Sequence, residues 1–412
     1  MKNGGALCER TLNRFIVLGL ALLLLWPNRV TAQQTAQPKV NDSHLHLTNY
    51  IQEGTDIHKL LEIMGTKVGR AALFGIPLQQ QWSYRNSGKR APTYYLESDS
   101  PLYYYSFTDA WIAVAYKSLT KEEQARFDPM ITGFNPSDMY AVDHIKRVLK
   151  TFPGVFTGIG EFTIHKEFVS AKIAGEVASL EDPALDRILD FCAESGLLVI
   201  IHNDMDTPFP RPGQPPSYLE QMRSLIKRHP KTTIIWAHTG LGRVVRPVQR
   251  HAAVLEDMLR DPAFSNLFFD ISWTEVAKYL VGSPEATKIS ADLINRYPDR
   301  FLFGTDEVAP VNQEQYLKIY SLYDPLWKLL TKDAWEKVRR ENYERLFDRA
   351  RTRVRAWERA NLGVQGSPTS APQRDGETRP PYLPAAGYSS RATSAMAAHI
   401  PRTADAPDEW PW

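Results

Sequence analysis

Residues 40–46 read Val-Asn-Asp-Ser-His-Leu-His, and the alternation in that run governs how the rest of the chain is read. Successive side chains of a strand point to opposite faces, so His44 and His46 share a face, with imidazoles close enough to hold one ion. An isolated H-x-H arises easily by chance. Its weight comes from what repeats downstream, where apolar runs end in the same class of residue. GIGEF places Glu161 at a strand tip, VIIH places His202, IIWAH places His238 and FLFGTD places Asp306. Four of the ten histidines thus sit at C-terminal ends of expected strands, which core packing does not require.

Working outward, eight runs read as strands: 40–47, 70–75, 130–134, 155–161, 197–202, 232–238, 267–272 and 301–306. Most are continuously apolar, as expected of parallel strands covered on both faces. Helical patterns separate them. In 182–195, Asp182 is a cap, Pro183 suits the first turn and Gly196 suits the stop, while Leu185, Ile188, Leu189 and Cys192 fall on one face. Cys192 is therefore expected in the core. Strand–helix units repeating every 30–40 residues or so, eight times, predict an α/β fold, a (β/α)8 TIM barrel, whose closure gathers the strand tips at one mouth.

The interval between the second and third strands is too long for a simple unit. It carries Trp82, Tyr84, Tyr94, Tyr95, Tyr103, Tyr104 and Tyr105. A loop at that position lies on the catalytic side of a barrel. It reads as an inserted aromatic-rich lid in preference to a self-packed surface excursion, and Tyr84 is taken as a substrate contact. Near other strand tips, Trp273 and Glu275 are candidates to line the pocket. Arg243 is placed either to bind a substrate carboxylate or to form a loop salt bridge, and His165 and Lys166, close after Glu161, are read as a solvated loop in preference to facing the mouth.

The chain has 412 residues, of which 43% are hydrophobic and 23% charged, which describes a globular protein. With 49 basic and 47 acidic residues the net charge is +2, so there is no polyelectrolyte signature for nucleic acid. Two cysteines, Cys8 and Cys192, exclude a disulfide scaffold and a thiolate zinc site. Residues 1–32 combine Lys2, Arg10 and Arg14, a 12-residue apolar run and a Val-Thr-Ala ending, the layout of a cleaved secretory signal. That run is short of the ~20 residues of a membrane span. A periplasmic or secreted protein without stable membrane association after cleavage is expected. Residues 33–362 hold the barrel, and 363–412 form a low-complexity tail expected to be disordered. Nothing in the sequence signals an oligomeric state.

The strand-tip residues, together with DPALDRILDFCAESGLLVIIHND, AHTG, FLFGTD and ENYERLF, resemble the amidohydrolase superfamily, nearest its amidohydrolase-2 and TatD-like branches. The similarity spans about residues 40–350. It implies a barrel enzyme holding one or two divalent ions, zinc foremost with manganese or iron as alternatives. His44, His46 and Asp306 would hold one metal. Glu161 would bridge to a second on His202 and His238, or else orient a histidine from behind. In mononuclear relatives the residue at His238 acts on water or substrate instead. Asp306 would shuttle the water's proton or serve as a plain ligand. The expected function is hydrolysis of an ester, lactone, amide or phosphoester bond of a small molecule. The alternative is a mononuclear decarboxylase of a small, aromatic carboxylic acid. No phosphate-cradling loop or G-x-S-x-G elbow competes with these readings.

Overall fold

The computed structural model describes residues 39–363. The expected signal at 1–32, Cys8, and the expected tail at 363–412 (Gly363 apart) lie outside the described residues. Among the described residues no helix is long and apolar enough to cross a membrane.

Nine strands form one parallel sheet: β1 Val40–His46, β2 Val68–Phe74, β5 Phe127–Ile131, β6 Gly158–Thr163, β7 Leu198–His202, β8 Ile234–Trp236, β9 Leu267–Asp270, β10 Phe301–Leu302 and β11 Glu307–Val308. An antiparallel pair, β3 Leu78–Gln80 and β4 Leu102–Tyr104, lies apart. The sheet runs β10-β9-β8-β7-β6-β5-β2-β1-β11. Its two edges are successive pieces of one segment, so the sheet closes on itself. β10 pairs with β9, β11 pairs with β1, and between them the backbone N–H of Ser43 donates to Phe303 (3.0 Å) and that of Asp306 to His44 (2.7 Å). The eighth strand expected at 301–306 is therefore broken in two. Asp306 occupies the break with φ +52°, a conformation no regular strand residue adopts.

Side-chain parity divides the core into two layers. Ala72, Phe74, Met130, Leu198, Ile200, Ile235, Phe268 and Leu302 fill the barrel interior together with Tyr343, Leu346, Phe347 and Ala350 from the helix Asn342–Asn361. The alternate set, including Ala71, Leu73, Val199, Ile201, Ile234, Trp236, Leu267 and Phe269, packs outward into the main cluster with the surrounding helices. Continuing the inward rows toward the strands' C-terminal ends adds His44 and His46, His202, and Asp270. The site is the polar extension of the interior core.

The helix at Pro183–Ser195 forms as its sequence predicts. The Asp182 side chain accepts from the Ala184 N–H, Gly196 takes φ +83°, and Cys192 is buried, with burial pushing its thiol pKa up. β5 begins three residues before the expected 130. Asp128 interrupts the apolar run there, but its carboxylate is buried on Arg70 (2.7 Å), Arg351 (2.6 Å) and the Tyr343 hydroxyl (2.8 Å). The long interval after β2 holds the β3–β4 pair and the helix Phe107–Ser118.

Candidate metal centre and active site

The strand tips converge as the parity argument requires. Asp306 Oδ1 lies 3.2 Å from His44 Nε2 and 3.1 Å from His46 Nε2. Glu161, on β6, sits between two histidine groups. Its Oε2 is 3.4 Å from His46 Nε2 and 3.8 Å from His44 Nε2, while its Oε1 is 2.6 Å from His202 Nδ1 and 3.4 Å from His238 Nε2. All six sequence-predicted residues thus meet in one buried cluster. Their donor atoms fall into two overlapping sets that can hold metal, His44/His46/Glu161/Asp306 and Glu161/His202/His238.

Local backbone makes this convergence possible. Gly160 has φ +113°, and a Cβ there would sit 2.1 Å from the Ile200 carbonyl oxygen. Only glycine lets β6 press so closely on β7 just before Glu161. Gly304 is similar, since a Cβ would lie 2.7 Å from His44 Cβ. His238 is not a strand residue. It follows β8 in a tight turn at φ +56°, held by its N–H donating to Asp270 Oδ1 at 2.8 Å.

A second layer fixes which ring nitrogen faces inward. His44 Nδ1 lies 3.0 Å from Asp270 Oδ2, and His46 Nδ1 lies 3.1 Å from the Gly75 carbonyl. His238 Nδ1 lies 2.8 Å from Ser272 Oγ, which in turn donates to Asp270. With their Nδ1 atoms donating outward, these three rings present Nε2 lone pairs to the centre. His202 is inverted. Its Nε2 meets Asp204 Oδ1 at 3.1 Å, leaving Nδ1 inward toward Glu161. His44 Nε2 and His238 Nε2 are buried without any hydrogen-bond partner. A buried acceptor of that kind is costly unless something binds it.

The charges agree. Burial alone would raise the carboxyl pKa values of Glu161 and Asp306. Lys166 and His202 hold Glu161 well below the usual range, and His44 and His46 do the same for Asp306. Burial disfavours a charged His44, yet Asp306 and Asp270 outweigh it and favour a proton on the ring, one that a cation bound at Nε2 would displace. Ionised carboxylates with inward imidazoles, and no thiolate, suit hard or borderline divalent cations. The residues present therefore fit a divalent metal centre.

The family model described as Amidohydrolase matches residues 42–349, and so covers all six cluster residues. The chain belongs to the amidohydrolase family. It is an enzyme of the metal-dependent hydrolase type that this family comprises. Among curated proteins no significant match exists. Solved structures similar to this amidohydrolase include an uncharacterized TIM-barrel protein from Bordetella bronchiseptica, 15% identical over 76% of this chain and 99% of that one, with TM-score 0.45. A putative 2-pyrone-4,6-dicarboxylic acid hydrolase from Pseudomonas putida is 12% identical over 76% and 98%, with TM-score 0.46. An amidohydrolase from Burkholderia multivorans with bound zinc is 13% identical over 75% and 99%, with TM-score 0.45.

Around the amidohydrolase centre the expected contacts divide. Trp273 turns inward at φ +77°, its ring centroid 5.2 Å from that of His238, whereas Glu275 pairs with Lys278 (3.1 Å). Arg243 forms no loop salt bridge with any described residue. It donates to the Tyr94 hydroxyl at 2.6 Å and lies against the rings of Tyr94 and Trp273. Tyr84 departs from expectation. It is 70% exposed in a four-residue helix that buries nothing, and no hydrogen bond or ring contact ties it to the cluster. In the insertion Trp82 and Tyr103 also face outward, while Tyr94 and Tyr95 turn in and pack with Tyr50.

Lys166 corrects the sequence reading most. Its loop is pinned onto β7 by Ile164 N–H to His202 (3.0 Å), Asp204 N–H to His165 (2.8 Å) and Glu167 N–H to Asp204 Oδ2 (2.6 Å). Lys166 is consequently 8% exposed, with Nζ 4.0 Å from Glu161 Oε1, and His165 stacks on Tyr218. Sequence reasoning also missed Asp270, Ser272 and Asp204. Asp270 was accessible in principle, because it extends the inward row of Phe268 on an expected strand. Ser272 continues that same row within the strand expected at 267–272, whereas Asp204 lies beyond a strand end, where parity says nothing.

Proposed function

We propose that this amidohydrolase hydrolyses an ester, lactone, amide or phosphoester bond of a small molecule at a two-metal centre, with zinc the preferred ion. His44, His46 and Asp306 would hold one ion and His202 and His238 the other. The supporting observation is the placement of Glu161, whose two carboxylate oxygens each face a different histidine group. When bound, divalent ions supply Lewis acidity, acidifying a water and polarising the acceptor oxygen of the scissile group. Asp306 Oδ1 lies with His44 and His46 while Oδ2 is 3.9 Å from His238 Nε2, so Oδ2 takes the attacking water's proton and returns it to the leaving group. Asp270 and Ser272 keep His44 and His238 in the tautomer that leaves Nε2 unprotonated. Trp273 and Tyr94 exclude water from the mouth. A mononuclear decarboxylase would have no use for the second face of Glu161.

Elemental analysis of protein reloaded with zinc tests this reading. Two ions per chain in the wild type, falling to one in Glu161→Gln, support it. One ion unaffected by the substitution overturns it. We further propose that the enzyme is exported, and N-terminal sequencing of protein recovered outside the cytoplasm tests cleavage after Ala32.

A further inference from the structure

Two cations flank the metal centre with donors to spare. Lys166 is buried, yet its ammonium makes no hydrogen bond, and the nearest carboxylate oxygen is 4.0 Å away. An ammonium carries three donors, and one long ion pair with Glu161 leaves them available to a ligand. Arg243 is half-buried. Its single hydrogen bond through a side-chain nitrogen goes to the Tyr94 hydroxyl, and its Nε is buried without a partner. Both lie against the same indole, Lys166 Nζ at 5.1 Å and Arg243 Cζ at 5.6 Å from the Trp273 ring centroid. That ring is in turn 5.2 Å from His238 and 6.2 Å from His202. The two cations therefore lie on the Trp273 side of the centre, next to His202 and His238. Tyr94, backed by Tyr50 and Tyr95, holds the guanidinium in place, so little side-chain freedom remains to be lost on binding.

We infer that Lys166 and Arg243 form an oxyanion subsite beside the metal centre, and that the substrate is a small carboxylic acid anchored there by a carboxylate that is not itself the reacting group. A guanidinium held by two aromatic rings presents a planar donor edge that can take the two oxygens of a carboxylate side by side. Lys166 supplies charge and hydrogen-bond donors at the end nearer Glu161. The subsite rests on the hydrolytic reading for what happens at the far end of the ligand, while its anchoring end depends only on these two cations.

The test measures calorimetric binding of three probes, benzoate, its neutral isostere benzamide and phenyl phosphate, to the full chain. Each is titrated into metal-depleted and zinc-reloaded protein, as wild type, Arg243→Gln, Arg243→Lys and Lys166→Met, with circular dichroism confirming the fold. Benzoate should bind at least tenfold more tightly than benzamide in both metal states. Arg243→Gln and Lys166→Met should each remove most of that preference, with Arg243→Lys intermediate. Phenyl phosphate binding more tightly than benzoate would overturn the carboxylic-acid assignment. Benzoate binding that vanishes on metal removal and ignores both substitutions would place the carboxylate on the ions and overturn the subsite while leaving hydrolysis intact. A chain that holds no zinc yet binds benzoate through Arg243 would do the reverse. No binding of any probe would overturn the inference outright.

Discussion

His44 Nδ1 lies 3.0 Å from Asp270 Oδ2, and the other oxygen of that carboxylate accepts the backbone N–H of His238 at 2.8 Å. One buried side chain on β9 therefore sets the tautomer of a histidine on β1 and the backbone turn that aims a histidine after β8. Asp270 connects the two halves of the cluster without belonging to either ligand set around Glu161.

Replacing Asp270 should accordingly weaken metal binding without removing a proposed ligand. Partners of this kind behind a metal-binding histidine typically contribute 10–100-fold in affinity. Asp270→Asn is expected to raise the zinc dissociation constant by about that factor, measured by competition with a chromogenic chelator. An unchanged constant would show that His44 is oriented by packing alone.

Asp306 is assigned two duties, and a substitution can separate them. Asp306→Asn keeps an oxygen able to face His44 and His46 but removes the basic one. With metal content held at wild-type level by reloading, kcat should fall by about 10²–10⁴-fold, the usual contribution of a positioned general base. A variant that keeps its ions and most of its kcat would leave Asp306 as a ligand only.

Asp128 is the corresponding test of the scaffold. It is fully buried and joins β2, through Arg70, to the last helix through Arg351 and Tyr343. Removing one partner of a buried ion network leaves its mates uncompensated, at about 3–5 kcal/mol. Asp128→Ala should lose stability of that order in urea unfolding. Asp348→Ala, which breaks the exposed arm of the same Arg70, should cost no more than about 1 kcal/mol. Equal effects would mean that the network is not what holds the final helix against the barrel.

Acid sensitivity should arise partly away from the active site. His251 lies beside an apolar cavity of about 510 Å³ whose lining contains Arg250 and Tyr279 but no acidic residue. Burial, offset only in part by the Thr239 carbonyl, pulls its pKa from 6.5 to about 4. Between those values the unfolded chain binds a proton that the folded chain refuses. The group therefore costs nothing above pH 6.5, and its penalty grows as pH falls toward 4, reaching at most about 3 kcal/mol. His251→Leu should lose less stability with acidification than the wild type across pH 6.5–4, measured by urea midpoints. Parallel curves would exclude His251 as a source of the effect.

The barrel was legible because its strands are covered on both faces and so read as apolar runs. The six cluster residues were legible because they end those runs with histidine or a carboxylate. His44, His46 and His202 follow from parity alone. His238 and Asp306 were placed on strands because they follow apolar runs, but both have positive φ and sit in turns, a backbone choice that hydrophobic patterning does not record. Tyr84 and Lys166 exchanged their expected roles, the tyrosine facing solvent and the lysine lying buried at the centre. Loop residues have no periodicity to fix which way they point. Lys166 is turned inward by hydrogen bonds from its own loop to the end of β7 and to Asp204 just after it, 37 positions beyond Glu167, and Arg243 is held by Tyr94, 149 positions away. The sequence by itself thus determined the barrel and the identity of the groups at its mouth, because alternation and apolar runs are local properties. Only the tertiary structure decided which nitrogen of each histidine faces inward, how Glu161 divides its two oxygens, and where Lys166 and Arg243 lie. Those depend on contacts between segments that chain closure brings together.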